Sequence, residues 1–264
     1  HACDCAQALE AAILEEGPDS VLAFIMEPVG GLATGALVAP DHYYTAVREI
    51  CSRHGVLLIF DEVMSGAGRT GRFLAAEHWP DARPDMVTLA KGVAAGYTPL
   101  GMVLTSREMV QTVVEAGGFL HGHTYSANPL SCAIGDAVLR EVMENDLIGN
   151  AERMGVLLGE RLQALAAQSG IVGDVRGLGL LQAIEIVADK TTKAPFPPSR
   201  KSIARIVQIG LDKGLLLYSR STAGGRYGEW LMIPPPLTLT EPQLDEMIAL
   251  LTEVLSAFEA EARG

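Results

Sequence analysis

The chain has 264 residues, 48% of them hydrophobic and 20% charged, with a formal net charge of -12. An acidic balance of this size, without a block of Lys and Arg, argues against a nucleic acid or an anionic membrane surface as partner. No apolar run reaches the length of a membrane span, and no basic stretch followed by an apolar one opens the chain, so the expected compartment is the cytoplasm.

Cys3, Cys5, Cys51 and Cys132 are too few and too scattered for a disulfide framework. Cys3 and Cys5 lack a second Cys or His pair at zinc-like spacing, and no metal is expected.

In chain order, "VLAFIM" reads as a strand ending at Glu27 and Pro28. "DHYYTAVREICSRHG" reads as an amphipathic helix with Asp41 as N-cap, Tyr44, Val47, Ile50 and Cys51 on its apolar face, and Gly55 as its stop. "VLLIF" follows at once as a continuous apolar run, the pattern of a parallel strand covered on both faces. Strand, helix and strand in this order form a βαβ unit with a right-handed crossover. "DMVTLA" and "LGMVLTS" read as two further strands around a glycine-containing loop.

"SANPLSCAIGDAVLREVMEND" and "ERMGVLLGERLQALAAQSG" read as helices. Beyond them come a glycine-led strand in "VRGLGLLQAIEIV", a proline-rich loop in "KAPFPPS", a helix in "RKSIARIVQIGLDKG", a strand in "LLLYS", and a closing helix after Thr240 as N-cap. The expected division is a larger domain over residues 1–145 and a smaller C-terminal α/β domain over 146–264.

Three polar residues close apolar runs: Glu27 after "VLAFIM", Asp61 after "VLLIF" and Lys91 after "DMVTLA". Taken singly, each acid has an ordinary reading as a turn cap, and Lys91 one as a stem lying on apolar surface with its ammonium in water. Taken together they converge where open parallel sheets bind ligands, at the carboxyl ends of the strands. An amine and a carboxylate at one sheet edge are what a pyridoxal phosphate enzyme needs. The amine condenses with the cofactor aldehyde, and the acid keeps the pyridine nitrogen protonated so that the ring accepts electrons.

The stretches "FIMEPVGG", "GVLLIFDEVMSGAGRTGRF", "PDMVTLAKGVAAGYTPLG", "HGHTYSANP", "VRGLGLL" and "PPLTLT" resemble, in order, the class III pyridoxal-phosphate aminotransferases of fold type I. The resemblance implies an α/β fold with a mostly parallel sheet in the large domain, and pyridoxal 5'-phosphate as cofactor. It makes Lys91 the Schiff-base lysine and proton shuttle, and Asp61 the partner of the pyridine nitrogen. Val63 would pack on the ring face. Met64 stands where many members have a glutamine reaching the ring hydroxyl. Thr124 matches a threonine that crosses a dimer interface to the partner's phosphate, so a homodimer is implied.

Arg69, Gly71 and Arg72 are expected in a salt-bridged surface loop, Arg176 and Gly177 at a turn, and His123 in a structural role. Family members also carry, ahead of the matched region, a glycine-serine phosphate loop at a helix N-terminus. Since the sequence begins at His1, that portion is expected either upstream in the same polypeptide or in a separate chain.

The resemblance further implies transfer of an amino group from an amine or omega-amino acid donor to a 2-oxo acid. Aminomutases and decarboxylases use the same fold and lysine, and a non-catalytic subunit is a third reading. Where members that use 2-oxoglutarate hold an arginine before the paired prolines, this sequence has Met232. Pyruvate is therefore the expected acceptor, with Glu27 and Arg226 as the candidate substrate contacts.

Overall fold

The computed structural model describes residues 2–221 and 228–263. Contacts divide the chain into two compact units. The first holds residues 1–28, 39–68 and 72–146, and the second holds 29–38, 69–71 and 147–264. Two short segments of the N-terminal half, Val29–Val38 and Arg69–Gly71, thus belong with the C-terminal unit.

The first unit is built on a four-stranded sheet of order β1-β2-β3-β4: β1 (Ala23–Met26), β2 (Leu57–Asp61), β3 (Met86–Leu89) and β4 (Met102–Thr105). The first three strands run parallel, and β4 returns antiparallel to β3. Helix α1 spans Ala2–Glu16, and α2 (Asp41–His54) is the crossover between β1 and β2. The apolar face of α2 is the expected one, with Tyr44, Val47, Ile50 and Cys51 all buried, and Gly55 closes the helix in the left-handed conformation. Asp41 differs from expectation. Pro40 holds the N-cap position, and the Asp41 carboxylate accepts from the Trp79 indole N–H at 3.0 Å.

The chain of β2 alternates rather than being covered on both faces. Leu58 and Phe60 are fully buried and their neighbours half-buried. The Tyr44 ring stacks on Trp79 with centroids 3.8 Å apart. Helices α3 (Arg107–Glu115) and α4 (Pro129–Glu144) complete the unit, α4 starting where the Asn128 side chain accepts from the Leu130 and Ser131 amides.

The second unit has an antiparallel sheet of order β5-β6-β8-β7, made of β5 (Val172–Leu178), β6 (Leu181–Ile186), β7 (Tyr218–Ser221) and β8 (Glu229–Ile233). The single glycine-led strand expected in "VRGLGLLQAIEIV" is a hairpin turning at Gly179 and Leu180, and β8 has no counterpart among the expected strands. Helices α5 (Leu147–Gln168), α6 (Ser202–Asp212) and α7 (Glu241–Arg263) contribute Leu158, Leu162, Ile206, Leu244 and Leu251 to one apolar core with Ile184 and Leu231 of the sheet. Among the described residues, no helix is long and apolar enough to cross a membrane.

Candidate active site

Register fixes the site. Met26 pairs with Phe60 and Asp61 with Thr88, so the parallel strands β1, β2 and β3 end side by side. Glu27 follows Met26, Asp61 is the last residue of β2, and Lys91 opens a 3-10 turn two residues after β3 ends at Leu89. All three therefore stand at the carboxyl edge of the parallel part of the sheet, where successive loops diverge and leave room for a ligand.

The Asp61 Oδ1 accepts the Val63 amide at 3.0 Å, a local turn that fixes the carboxylate at the strand end. Asp61, Val63 and Met64 are half-buried. Lys91 is exposed, and its backbone has φ 45°, a left-handed conformation that L-residues with a side chain adopt at a cost. Among the described residues neither Lys91 nor Asp61 is in an ion pair.

Thr124 is exposed in the turn after residue 123, in the same unit, and no hydrogen bond joins it to Lys91 or Asp61. The amide of His123 donates to Ser126 Oγ at 3.2 Å, and the His123 ring lies edge-on to His121. Arg226 lies outside the described residues.

Two residues that sequence reasoning did not assign to the site are built into it. Glu62 is 1% exposed. Its carboxylate accepts two backbone amides, Ala75 at 2.5 Å and Ala76 at 2.8 Å. Burial pushes its pKa up to about 7, and the two amide bonds offset part of that rise. Extending the alternation Leu58, Phe60 by one step would have found it on the buried face. The second is Tyr44, whose hydroxyl donates to the Pro28 carbonyl at 2.7 Å, directly after Glu27, and accepts the Ala39 amide at 3.1 Å.

Arg69 is not in a salt-bridged loop. Within the second unit its guanidinium donates to the carbonyls of Leu180 and Pro235, and burial lowers its pKa. Arg176 and Gly177 are inside β5 rather than at a turn. The Arg176 guanidinium donates to the Gly35 carbonyl at 2.7 Å and to the carboxylates of Asp174 at 2.8 Å and Glu185 at 2.5 Å.

Residues 1–255 match the family model described as Aminotransferase class-III. The chain belongs to the class III aminotransferase family.

Its similarity to "Uncharacterized aminotransferase YodT" of Bacillus subtilis is 40% identity over 256 residues, covering 96% of this chain and 57% of that protein. "Diaminobutyrate--2-oxoglutarate transaminase" of Halomonas elongata is 38% identical, with 93% and 52% covered. "Putrescine--pyruvate aminotransferase" of Pseudomonas aeruginosa is 35% identical, with 95% and 53% covered. Among solved structures, a transaminase from the marine bacterium Virgibacillus superposes with TM-score 0.92 at 33% identity, over 97% of this chain and 57% of that one. The α/β architecture is thus the fold type I arrangement of these class III enzymes, and the chain spans about half the length of the relatives it matches.

Proposed function

We propose that this chain carries the reacting lysine and the ring-binding acid of a pyridoxal-phosphate transaminase. The enzyme would move an amino group from an amine or omega-amino acid to a 2-oxo acid. The observation that carries the reading is the pair of adjacent parallel strand ends bearing Asp61 and, one short turn on, Lys91.

The donor set fits the cofactor. One half-buried carboxylate oriented by the Val63 amide suits a protonated pyridine nitrogen, and one exposed lysine suits an aldehyde. Pyridoxal phosphate supplies, when bound, an aldehyde that captures amines and a ring that withdraws electrons. Asp61 would hold the ring nitrogen protonated, Val63 and Met64 would line the ring, and Thr124, from a partner subunit of a homodimer, would meet the phosphate. Lys91 Nζ would accept a proton from the substrate carbon and return it, a role that requires a neutral amine at the moment of transfer. The remaining phosphate donors would come from an N-terminal portion, in the same or a separate chain, and the working compartment would be the cytoplasm.

For the acceptor, Met232 supports pyruvate. It is 1% exposed within β8, so a position expected to hold a carboxylate-binding arginine is an apolar core residue. A bidentate guanidinium is the strong recognition element for a second carboxylate, and its loss weakens dicarboxylate binding. Of the relatives named above, one carries 2-oxoglutarate in its name and another pyruvate, so both acceptors are to be compared.

Borohydride reduction of the full-length protein followed by peptide mapping tests the centre. Cofactor trapped on Lys91 supports the reading, and trapping elsewhere or not at all overturns it. Half-reaction kinetics test the acceptor, with faster reoxidation by pyruvate than by 2-oxoglutarate expected.

A further inference from the structure

The buried carboxylate of Glu62 has no place in the chemistry above, yet Glu62 follows Asp61 directly in the chain and its backbone joins the strand that leads to Lys91. Its own amide donates to the Thr88 carbonyl at 2.9 Å, tying the end of β2 to β3, and its carbonyl accepts the Gly66 amide at 2.9 Å. Its side chain, gripping the Ala75 and Ala76 amides, closes the segment 62–76 into a loop anchored at both ends.

That loop is pressed against the strand end that leads to Lys91. A Cβ added to Gly66 would lie 2.3 Å from Leu89 Cδ2 and 3.1 Å from Glu62 Oε2, and one added to Gly92 would lie 3.0 Å from the Ala67 Cβ. Ala67, at this contact, and Lys91, next to Gly92 in the chain, have φ 54° and φ 45°, both left-handed without being glycine. Such conformations persist only where surrounding contacts over-determine them.

We propose that Glu62 is a positioning residue: by clamping the Ala75 and Ala76 amides it holds the 62–67 loop against Gly92 and so fixes Lys91 relative to Asp61. This rests on the transaminase reading of the site. A carboxylate is suited to the task because it accepts both amides at once. A glutamine offers one oxygen and turns an N–H toward the second amide.

The test uses the full-length protein as wild type, Glu62→Gln, Glu62→Ala and Gly92→Ala, with Glu77→Gln as control. Glu77 accepts the Leu74 amide at 2.7 Å beside the same turn, is exposed, and acts on Glu62 through its charge rather than by holding the Ala75 or Ala76 amide. Four quantities are read: hydrogen exchange of the Ala75 and Ala76 amides in cofactor-free protein, the pH midpoint of the visible absorbance and induced circular dichroism of the lysine-linked cofactor, kcat and KM, and the melting temperature.

Expected in the Glu62 variants are faster exchange at both amides, a displaced absorbance midpoint, and a kcat lower by on the order of 10- to 100-fold with KM little changed. Glu77→Gln, which removes a charge beside Glu62 but breaks neither of its amide bonds, behaves as wild type in amide exchange and kcat. Gly92→Ala, which leaves the Glu62 bonds in place and pushes on the loop from the far side, gives the same spectral displacement, and it decides the matter if the Glu62 variants do not fold. Unchanged midpoint, dichroism and kcat in any folded Glu62 variant, or in Gly92→Ala, overturn the inference even if the melting temperature falls. Absence of trapping on Lys91 in the wild type overturns the transaminase reading instead, which separates the two failures.

Discussion

The Tyr44 hydroxyl donates to the Pro28 carbonyl at 2.7 Å, from the first turn of the crossover helix to the residue that follows Glu27. The same oxygen accepts the Ala39 amide, so one buried side chain closes both stems of the 29–38 excursion within the first unit. Phenylalanine would keep the stack on Trp79 and leave one carbonyl and one amide without a partner. The buried Pro28 carbonyl left unsatisfied costs about 1–3 kcal/mol, and the half-buried Ala39 amide less. Tyr44→Phe should therefore lower the urea midpoint of the full-length protein by a corresponding amount, and a midpoint equal to wild type would mean that water replaces both bonds. Burial pushes the Tyr44 pKa up to about 12, so the hydroxyl stays a donor throughout the range in which the protein would be assayed.

Lys91 permits a separation of chemistry from stability. Its side chain is exposed, and substitutions at such positions shift stability by within about 0.5 kcal/mol. Lys91→Ala should abolish borohydride trapping and turnover while leaving the melting temperature nearly unchanged. Its φ of 45° adds a finer expectation, since only glycine takes this conformation without steric cost. Lys91→Gly should be as inactive as Lys91→Ala but more stable by about 1 kcal/mol. Equal stability of the two variants would show that the turn relaxes once the lysine is gone.

Much of this is legible in sequence for a physical reason. The strand ends at Glu27 and Asp61, the Lys91 turn and the buried face of α2 follow from apolar runs interrupted by charge and from helical periodicity, both of which are local. Glu62 is hidden because "VLLIF" reads as covered on both faces, whereas the chain alternates and carries an acid onto the buried side. Arg69 escapes a local reading because its partners, the carbonyls of Leu180 and Pro235, are more than a hundred residues away and offer no charge to match. The hairpin at Gly179 is hidden because two short strands and a glycine turn look, in one dimension, like one glycine-led strand.

Glu62 also gives the protein a signed pH dependence. Its folded pKa is about 7 against an ordinary 4.5, raised first by burial and also by the neighbouring Glu77 carboxylate, with the Ala76 and Ala75 amides pulling the other way. Between these values the native state holds a proton that the unfolded chain releases, so stability falls as pH rises from about 4.5 to about 7 and is level beyond. The full span is on the order of 3 kcal/mol, since a tenfold change in an acid constant corresponds to about 1.4 kcal/mol. Urea midpoints measured across this window should show wild type gaining on Glu62→Gln as pH drops, with a constant difference between the two above neutral pH. Parallel curves throughout would mean that the carboxyl titrates normally.

The last prediction contrasts two glycines one turn apart on α5, which differ only in what faces them. A Cβ on Gly155 would lie 2.4 Å from the Gly179 Cα and 2.6 Å from its carbonyl carbon, which is backbone at the hairpin turn and cannot swing aside. A Cβ on Gly159 would meet nothing closer than Gln182 Oε1 at 3.5 Å, an ordinary van der Waals contact. Both sit in the interior of a 22-residue helix, where alanine is favoured over glycine by about 1 kcal/mol. At Gly159 that preference acts unopposed, so Gly159→Ala should stabilise the second unit by a comparable amount. At Gly155 the helix or the hairpin must move, and overpacking of this kind costs about 1–3 kcal/mol, more than the helix preference returns. The displacement would carry further, because the Gln182 amide donates at 2.8 Å to the Gly155 and Gly179 carbonyls, and the Leu180 amide donates to the Arg69 carbonyl at 3.0 Å. Gly155→Ala should therefore lower the melting temperature and speed hydrogen exchange at the Leu180 amide, whereas Gly159→Ala should do neither. If both variants shift stability in the same direction, the close approach of α5 to the hairpin is not what requires glycine at position 155.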